Sequence, residues 1–290
     1  MKPFCIFLLF LRIILNEAAA QKYYFQNYNV EQGLIQSQAL DLCQDADGHL
    51  WIATLGGISR FDGLNFTNYT KRDGLADNYV FSIMYDKRGY VWAGTQKGLS
   101  RFNGQEFRSI LFSDNPDENI VSDIIPGPGN TIWCIVSGNI YRVNQDLRFE
   151  KFLPGAASPG SFTSLASDKH GNIWAGGAGS YLYNFRDTGW HRLAVPVAGK
   201  GTPVVTELYN DHEGKLWIGT ANGLFVLHDN QVSPFRLGPS GDHLILSVFM
   251  DKKNNLWVGT GRGAFFINDK SRRYYNARTG MTDGAVSGIM

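Results

Sequence analysis

Carboxylates at fixed spacing are the first candidates for chemistry in this chain. Asp45, Asp86, Asp168, Asp211 and Asp251 each stand three residues before Gly48, Gly89, Gly171, Gly214 or Asn254, and six before a tryptophan. Paired acids are the apparatus of glycoside hydrolysis, but only when two of them converge on one bond. A carboxylate that recurs once per unit at the mouth of a turn is placed to accept turn amides, with the glycine supplying a positive φ. These aspartates are therefore expected to sit on the lower rim, pointing outward without converging, and no catalytic residue is assigned. The six histidines (His49, His170, His191, His212, His228 and His243) show no metal-ligand spacing, and His49, His170 and His212 read as exposed turn residues. No glycine-rich phosphate loop follows a strand and opens a helix. Neither a metal nor a cofactor is expected.

The elements that must carry these residues are repeats. Trp51, Trp92, Trp133, Trp174, Trp217 and Trp257 are separated by 41, 41, 41, 43 and 40 residues. A period near 40 sets the architecture before any local reading. Each unit has a glycine turn and an apolar strand, then the Asp turn, then the Trp strand, as in Val91-Trp-Ala-Gly-Thr95. A second glycine turn follows at Gly57, Gly98, Gly223 or Gly263, then a third strand, then a fourth around Phe66, Phe107, Phe149, Trp190, Phe235 and Tyr274. The Trp strand is short and nearly all apolar, which suits burial on both faces. The third unit drifts most, with Gly127-Pro-Gly-Asn130 in place of the Asp turn. The tryptophans read as inter-unit packing rather than a sugar-stacking platform. Trp190, outside the series, reads as core or rim packing too.

Four short antiparallel strands in about 40 residues are one propeller blade. The expected fold is all-β: a β-propeller of six blades plus the first strand of a seventh. Tyr23-Tyr-Phe-Gln-Asn-Tyr28 resembles the fourth strand Asn65-Phe-Thr-Asn-Tyr69, so an N-terminal strand is available to close the last blade. Gly280 to Met290 aligns with Gly74 to Met84 at a shift of 206, which carries Trp92 to a position 298 beyond the chain. The expectation is a fragment of a longer product, cut inside a seventh unit.

Residues 1–20 read as a cleaved secretory signal: Lys2, an apolar run from Phe4 to Leu15 broken by Arg12, and Ala18-Ala19-Ala20. The domain organisation is thus a signal peptide at 1–20 and a propeller at 21–290. Cys5 leaves with the leader, away from the cleavage site, which argues against a lipoprotein. Cys43 and Cys134 read as two buried thiols. Without the leader the chain has 25 basic and 25 acidic residues, so no bulk charge points to nucleic acid or to a membrane surface.

At Asp86 to Phe102 and Asp211 to Val226 the chain resembles the two-component regulator propeller repeats, whose pattern is roughly D-x-x-G-x-[LIV]-W-[IV]-[GA]-T-x-x-G-[LI]-x-[RY]-[FY]. The resemblance covers about residues 23–290. It implies an extracytoplasmic, periplasmic sensor region of a membrane-anchored histidine kinase of Bacteroidetes-type bacteria. It also implies an oligosaccharide ligand and, in the full-length parent, a kinase module able to dimerise. Ser167-Asp-Lys-His-Gly171-Asn-Ile-Trp174 comes near the S-x-D-x-G-x-x-W turn of sialidases, but its Asp is three before the Gly rather than two. A secreted binding or scaffold propeller is the alternative, and a propeller hydrolase a third. In a propeller the upper face is built from the turns between strands two and three and the loops into each blade. Those supply Gln96, Lys97, Asn222 and Arg262 in turns, and Arg72, Asp77, Asn78 and Asp283 in loops, as candidate ligand-binding groups.

Overall fold

The computed structural model describes residues 25–152, 161–186, 189–196, 204–238, 243–281 and 284–290. The proposed signal peptide and Asp283 lie outside them.

Six four-stranded antiparallel sheets stand in a ring, a six-bladed β-propeller. Blade 1 is β1 (Ala39–Gln44), β2 (Leu50–Thr54), β3 (Gly57–Phe61) and β4 (Phe66–Tyr69). Blade 2 is β5 (Val80–Tyr85), β6 (Val91–Thr95), β7 (Gly98–Phe102) and β8 (Phe107–Ile110). Blade 3 is β9 (Val121–Pro126), β10 (Ile132–Val136), β11 (Asn139–Val143) and β12 (Phe149–Lys151). Blade 4 is β13 (Phe162–Ser167), β14 (Ile173–Gly177), β15 (Tyr181–Arg186) and β16 (Gly189–Ala194). Blade 5 is β17 (Val205–Asn210), β18 (Leu216–Thr220), β19 (Gly223–His228) and β20 (Gln231–Phe235). Blade 6 is β21 (Ile245–Met250), β22 (Leu256–Thr260), β23 (Gly263–Ile267) and β24 (Arg272–Tyr275). Strands run in chain order from the axis outward, and the innermost strands pack side by side from β1 through β5, β9, β13 and β17 to β21.

The turn aspartates do not point outward. In blade 2 Asp86 folds back over its turn: Oδ1 accepts from the amides of Arg88 (2.9 Å) and Tyr90 (3.0 Å), and Oδ2 from Trp92 Nε1 (2.8 Å). Asp45 and Asp211 clasp Trp51 and Trp217 at 2.8 Å, while Asp168 reaches Trp174 at 3.4 Å. A buried indole N–H without a partner is costly, and in these blades the carboxylate three residues before the turn glycine is what reaches it. Asn254 takes the turn at φ 62, as its place in the repeat implied. In blades 1, 2, 5 and 6 the second turn is closed by the Thr ending the Trp strand: Thr95 Oγ1 donates to Gly98 O at 2.8 Å, and Thr54, Thr220 and Thr260 repeat the bond. At Gly98 φ is +132 and a Cβ would stand 2.5 Å from Ile110 O, so only glycine fits.

Blades pack through the Trp strand. A Cβ at Gly94 would meet Val121 O at 2.7 Å, and at Gly219 it would meet Ile245 at 2.7 Å. Both glycines let the next innermost strand lie directly on the sheet. Trp92 and Trp133 are fully buried, and Trp190 packs on Phe185 at 5.3 Å in the core between blades 3 and 4. Cys134 is buried and Cys43 half-buried; neither is in a disulfide. Among the described residues no helix is long and apolar enough to cross a membrane.

The ring meets itself between blades 6 and 1. Residues 284–290 lie extended there: Val286 N donates to Thr260 O (2.9 Å), Ser247 Oγ to Val286 O (3.2 Å) and Ser287 Oγ to Ala39 O (2.9 Å). Phe25 and Tyr28 pack against Tyr275 and against Phe61 and Phe66. Neither segment forms a ladder among the described residues.

Candidate functional site

Each of the six innermost strands carries a register shift at the same place. The unpaired residues are Leu40, Phe81, Ser122, Thr163, Thr206 and Leu246. A bulge bends a strand and re-aims the side chain beside it. Here the residue after each bulge is polar: Asp41, Ser82, Asp123, Ser164, Glu207 and Ser247. These and the bulge residues line an axial cavity of about 440 Å³. Acids on blades 1, 3 and 5 alternate with serines on blades 2, 4 and 6.

Two of the acids are fixed by amides from two blades. Asp41 accepts from Leu42 N (2.8 Å) and, across the blade gap, from Ile83 N (2.8 Å). Asp123 does the same with Ile124 N (2.8 Å) and Leu165 N (2.6 Å). Ser82 and Ser164 also donate to Asp41 and Asp123. Glu207 accepts no such bond among the described residues. Burial away from bulk water raises all three carboxyls, and the amide bonds offset this only in part. Asp123 is pushed up to about 7, with Asp41 adding repulsion. Asp41 is raised. Glu207 is raised well above its ordinary value by burial and then by Asp123 and Asp41. The channel therefore offers carboxyls raised above their ordinary range, Asp123 near neutrality, beside hydroxyls, a lining able to donate to and accept from a polyhydroxylated molecule, or to move a proton.

These residues were legible in the sequence and overlooked. They recur at 41, 82, 123, 164, 207 and 247, with the separations of the tryptophans, as a polar residue inside an apolar strand.

The six upper-face candidates fall elsewhere. Arg72 is exposed in the 3₁₀ turn Lys71–Asp73, and Asn78 Oδ1 accepts from Lys71 N at 2.8 Å. Gln96 N donates to Tyr79 O, which brings the Gln96–Lys97 turn beside the Asn78 loop. Asn222 and Arg262 lie exposed in the matching turns of blades 5 and 6. The structure thus groups Arg72, Asn78, Gln96 and Lys97 on blade 2 and leaves the other two on separate blades. None of the six lines the axial cavity.

His49 is not the exposed turn residue expected. It is half-buried, with Nδ1 at 3.0 Å from Asp45 Oδ2. Ligand atoms of Asp45, Asp47 and His49 lie within 4.8 Å of one another. Asp45 Oδ2 already takes Trp51 Nε1 and Oδ1 takes two amides, so this cluster is the turn clasp itself.

The class of repeat follows from this geometry. Residues 33–56, 74–97, 199–222 and 239–262 match the two component regulator propeller family, and the chain carries repeats of that family. Blades 3 and 4, where the Asp turn or its bond to Trp is lost or long, are not among the matched stretches. Among solved structures, the extracellular domain of the hybrid two component system BT3049 from B. thetaiotaomicron is 22% identical. Its TM-score is 0.77, over 90% of this chain and 38% of that one. The extracellular domain of the one component system BT4673 from the same organism is 20% identical, with a TM-score of 0.76 over 93% and 38%. This chain thus spans well under half the length of those structures. A catalytically inactive virginiamycin B lyase from Staphylococcus aureus shares the fold at 16% identity, with a TM-score of 0.76 over 91% and 92%. No curated protein matches the chain significantly.

Proposed function

We propose that this chain is the extracytoplasmic ligand-sensing propeller of a two-component receptor, delivered across the inner membrane by its leader. The observation that carries this reading is the repeat itself, matched in four blades to the two component regulator propeller family. The ligand is a glycan or another envelope molecule with many hydroxyls, held at the upper face by Arg72, Asn78, Gln96, Lys97, Asn222 and Arg262. Binding acts on signalling only if the ligand prefers one of two receptor states. Output passes to a histidine kinase module, and this propeller turns over no substrate. The lyase that shares the fold and the axial carboxyls favour a second reading, a propeller enzyme using Asp41, Asp123 and Glu207.

One experiment separates the two. The purified protein is titrated calorimetrically with a panel of defined neutral and acidic oligosaccharides, and each mixture is then assayed for product. The sensor reading expects saturable binding, weakened about tenfold by Lys97→Ala or Arg262→Ala, a loss on the order of 1.4 kcal/mol, with the sugar recovered intact. Product formation abolished by Asp123→Asn overturns it in favour of the enzyme. Binding to none of the panel overturns the glycan assignment.

A further inference from the structure

We propose that the axial cavity binds a small hydroxylated ammonium ion, an amino sugar in chemical class. The site is separate from the six upper-face candidates, none of which lines the cavity, and it stands or falls independently of them.

The layer of bulge residues is two-sided. Leu246, Leu40 and Phe81 form an apolar arc on blades 6, 1 and 2, and Ser122, Thr163 and Thr206 a hydroxyl arc on blades 3, 4 and 5. A ligand seated there needs a carbon face and a polar face, and a sugar ring has both. The cavity, about 440 Å³, falls within the range of small-molecule pockets, about 300–1,000 Å³.

The polar side is left mainly with acceptors. Thr206 Oγ1 donates to Ile245 O at 2.6 Å and Thr163 Oγ1 to Val205 O, so both hydroxyl hydrogens are committed to the backbone of the next blade. Ser82 and Ser164 give theirs to Asp41 and Asp123. Oxygen lone pairs and carboxyls remain toward the cavity. Glu207 goes further: its carboxyl is enclosed by the fold, lines the cavity and accepts no hydrogen bond among the described residues. An enclosed acceptor without a donor is costly, and a ligand that donates would satisfy it. An ammonium group has three N–H donors and no acceptor.

Charge points the same way. No Lys, Arg or His is among the described residues that line the cavity, so its three carboxyls share one space without a cation. Burial first, and repulsion after it, raises Asp123 and Glu207. A bound ammonium would offset that repulsion and favour their ionised forms. Among the described residues the three acids do not gather within 4.8 Å, as ligands of one metal ion would, so the cation that bridges them has a body of its own. The amine is placed toward blade 4, between Asp123 and Glu207 on the flanking blades, with the carbon face of the ring against Leu40 and Phe81.

The test is a calorimetric titration of the purified protein at neutral pH with glucosamine and with glucose, which differ by an ammonium in place of one hydroxyl. Saturable binding of glucosamine is expected, about tenfold or more tighter than that of glucose. Glu207→Gln keeps the shape of the side chain and removes its charge, and is expected to weaken glucosamine binding by a similar factor. Glu150→Gln, an exposed acid on the outermost strand β12, is expected to leave binding unchanged. Should Glu207→Gln fail to fold, the pair of sugars alone decides. Equal affinity for the two sugars, no saturation at tens of millimolar glucosamine, or a folded Glu207→Gln protein that binds glucosamine as the parent does would overturn the proposal.

Discussion

Blades 2 and 3 bury the same indole in opposite ways. Trp92 is fully buried and gives its N–H to Asp86 at 2.8 Å. Trp133 is 1% exposed, but Gly127 stands where the aspartate would be, and Trp133 Nε1 is buried with no partner among the described residues. Blade 3 holds the ring instead by aromatic contact: Phe152 at 4.9 Å, Phe185 at 5.5 Å and Trp190 at 6.4 Å. Trp190 is the residue that stands outside the repeat spacing, and this is where it is used. A blade therefore tolerates loss of the clasp as long as the ring stays packed, since burial of a large aromatic outweighs one hydrogen bond. The clasp adds stability and fixes the turn, but it is not what makes a blade.

The sharpest way to break this comparison is to remove the clasp from blade 2. Asp86→Ala strands a fully buried indole N–H and frees two turn amides that water can reach. We expect a loss of about 2–3 kcal/mol, the cost of one unpaired buried donor plus the turn bonds; urea unfolding reads it. The reverse change does not repair blade 3. A Cβ at Gly127 would meet Trp133 Cδ1 at 2.2 Å, so Gly127→Asp is expected to destabilise by about 1–3 kcal/mol through overpacking. A stabilised Gly127→Asp would show that the ring in blade 3 is free to move and that its contacts are not what holds it.

A smaller effect tests the hydrogen bond by itself. Trp92→Phe loses ring area and also leaves Asp86 Oδ2 without its indole donor. Trp133→Phe loses similar area but removes an unpaired buried N–H. The second is expected to cost less than the first by about 1–2 kcal/mol. Equal losses in matched denaturation curves would mean that Trp133 Nε1 is satisfied in solution.

How much of this the sequence carried depends on where the signal lay. The spacing of Trp51 to Trp257 delivered the blades, because a buried ring in every unit leaves a period that survives drift elsewhere. It delivered Asn254 as a turn residue, and Trp190 as packing. It did not deliver the direction of the aspartates, since whether Asp86 faces water or folds onto Trp92 depends on the hairpin being closed. Nor did it deliver the axial acids as a site. Asp41, Asp123 and Glu207 are some 80 residues apart in sequence, and only a ring with a bulge in each innermost strand turns them toward one axis. The upper-face group is spread over three blades because neighbouring repeats are rotated about that axis: Asn222 and Arg262 stand in the matching turns of blades 5 and 6, and the other four candidates stand on blade 2.

The axial acids give the last and smallest contrast, because blade 3 carries Asp123 where blade 2 carries Ser82. Burial raises Asp123 to about 7, so the fold keeps its proton while the unfolded chain, with an ordinary aspartate near 3.9, gives it up. Stability is therefore expected to fall as pH rises from about 4 to about 7 and then to level. The turn acids run the other way. In Asp45 and Asp251 burial works to raise the carboxyl, but bonds from the indole, the turn amides and neighbouring side chains outweigh it and hold both below the ordinary value. Their contribution is complete above about 4 and is lost only as pH falls below that. Asp123→Asn keeps a side-chain oxygen for the Leu165 amide, gives up the bond from the Ile124 amide, and cannot ionise. It should flatten the decline between pH 4 and 7 and leave the acid limb untouched, a gain on the order of 1 kcal/mol at pH 8 once solvent in the channel is allowed for. Melting temperatures of the two proteins at pH 4, 6 and 8 decide it. Parallel curves would mean that Asp123 is ionised throughout, and that the channel holds its charge with water rather than surrendering it to burial.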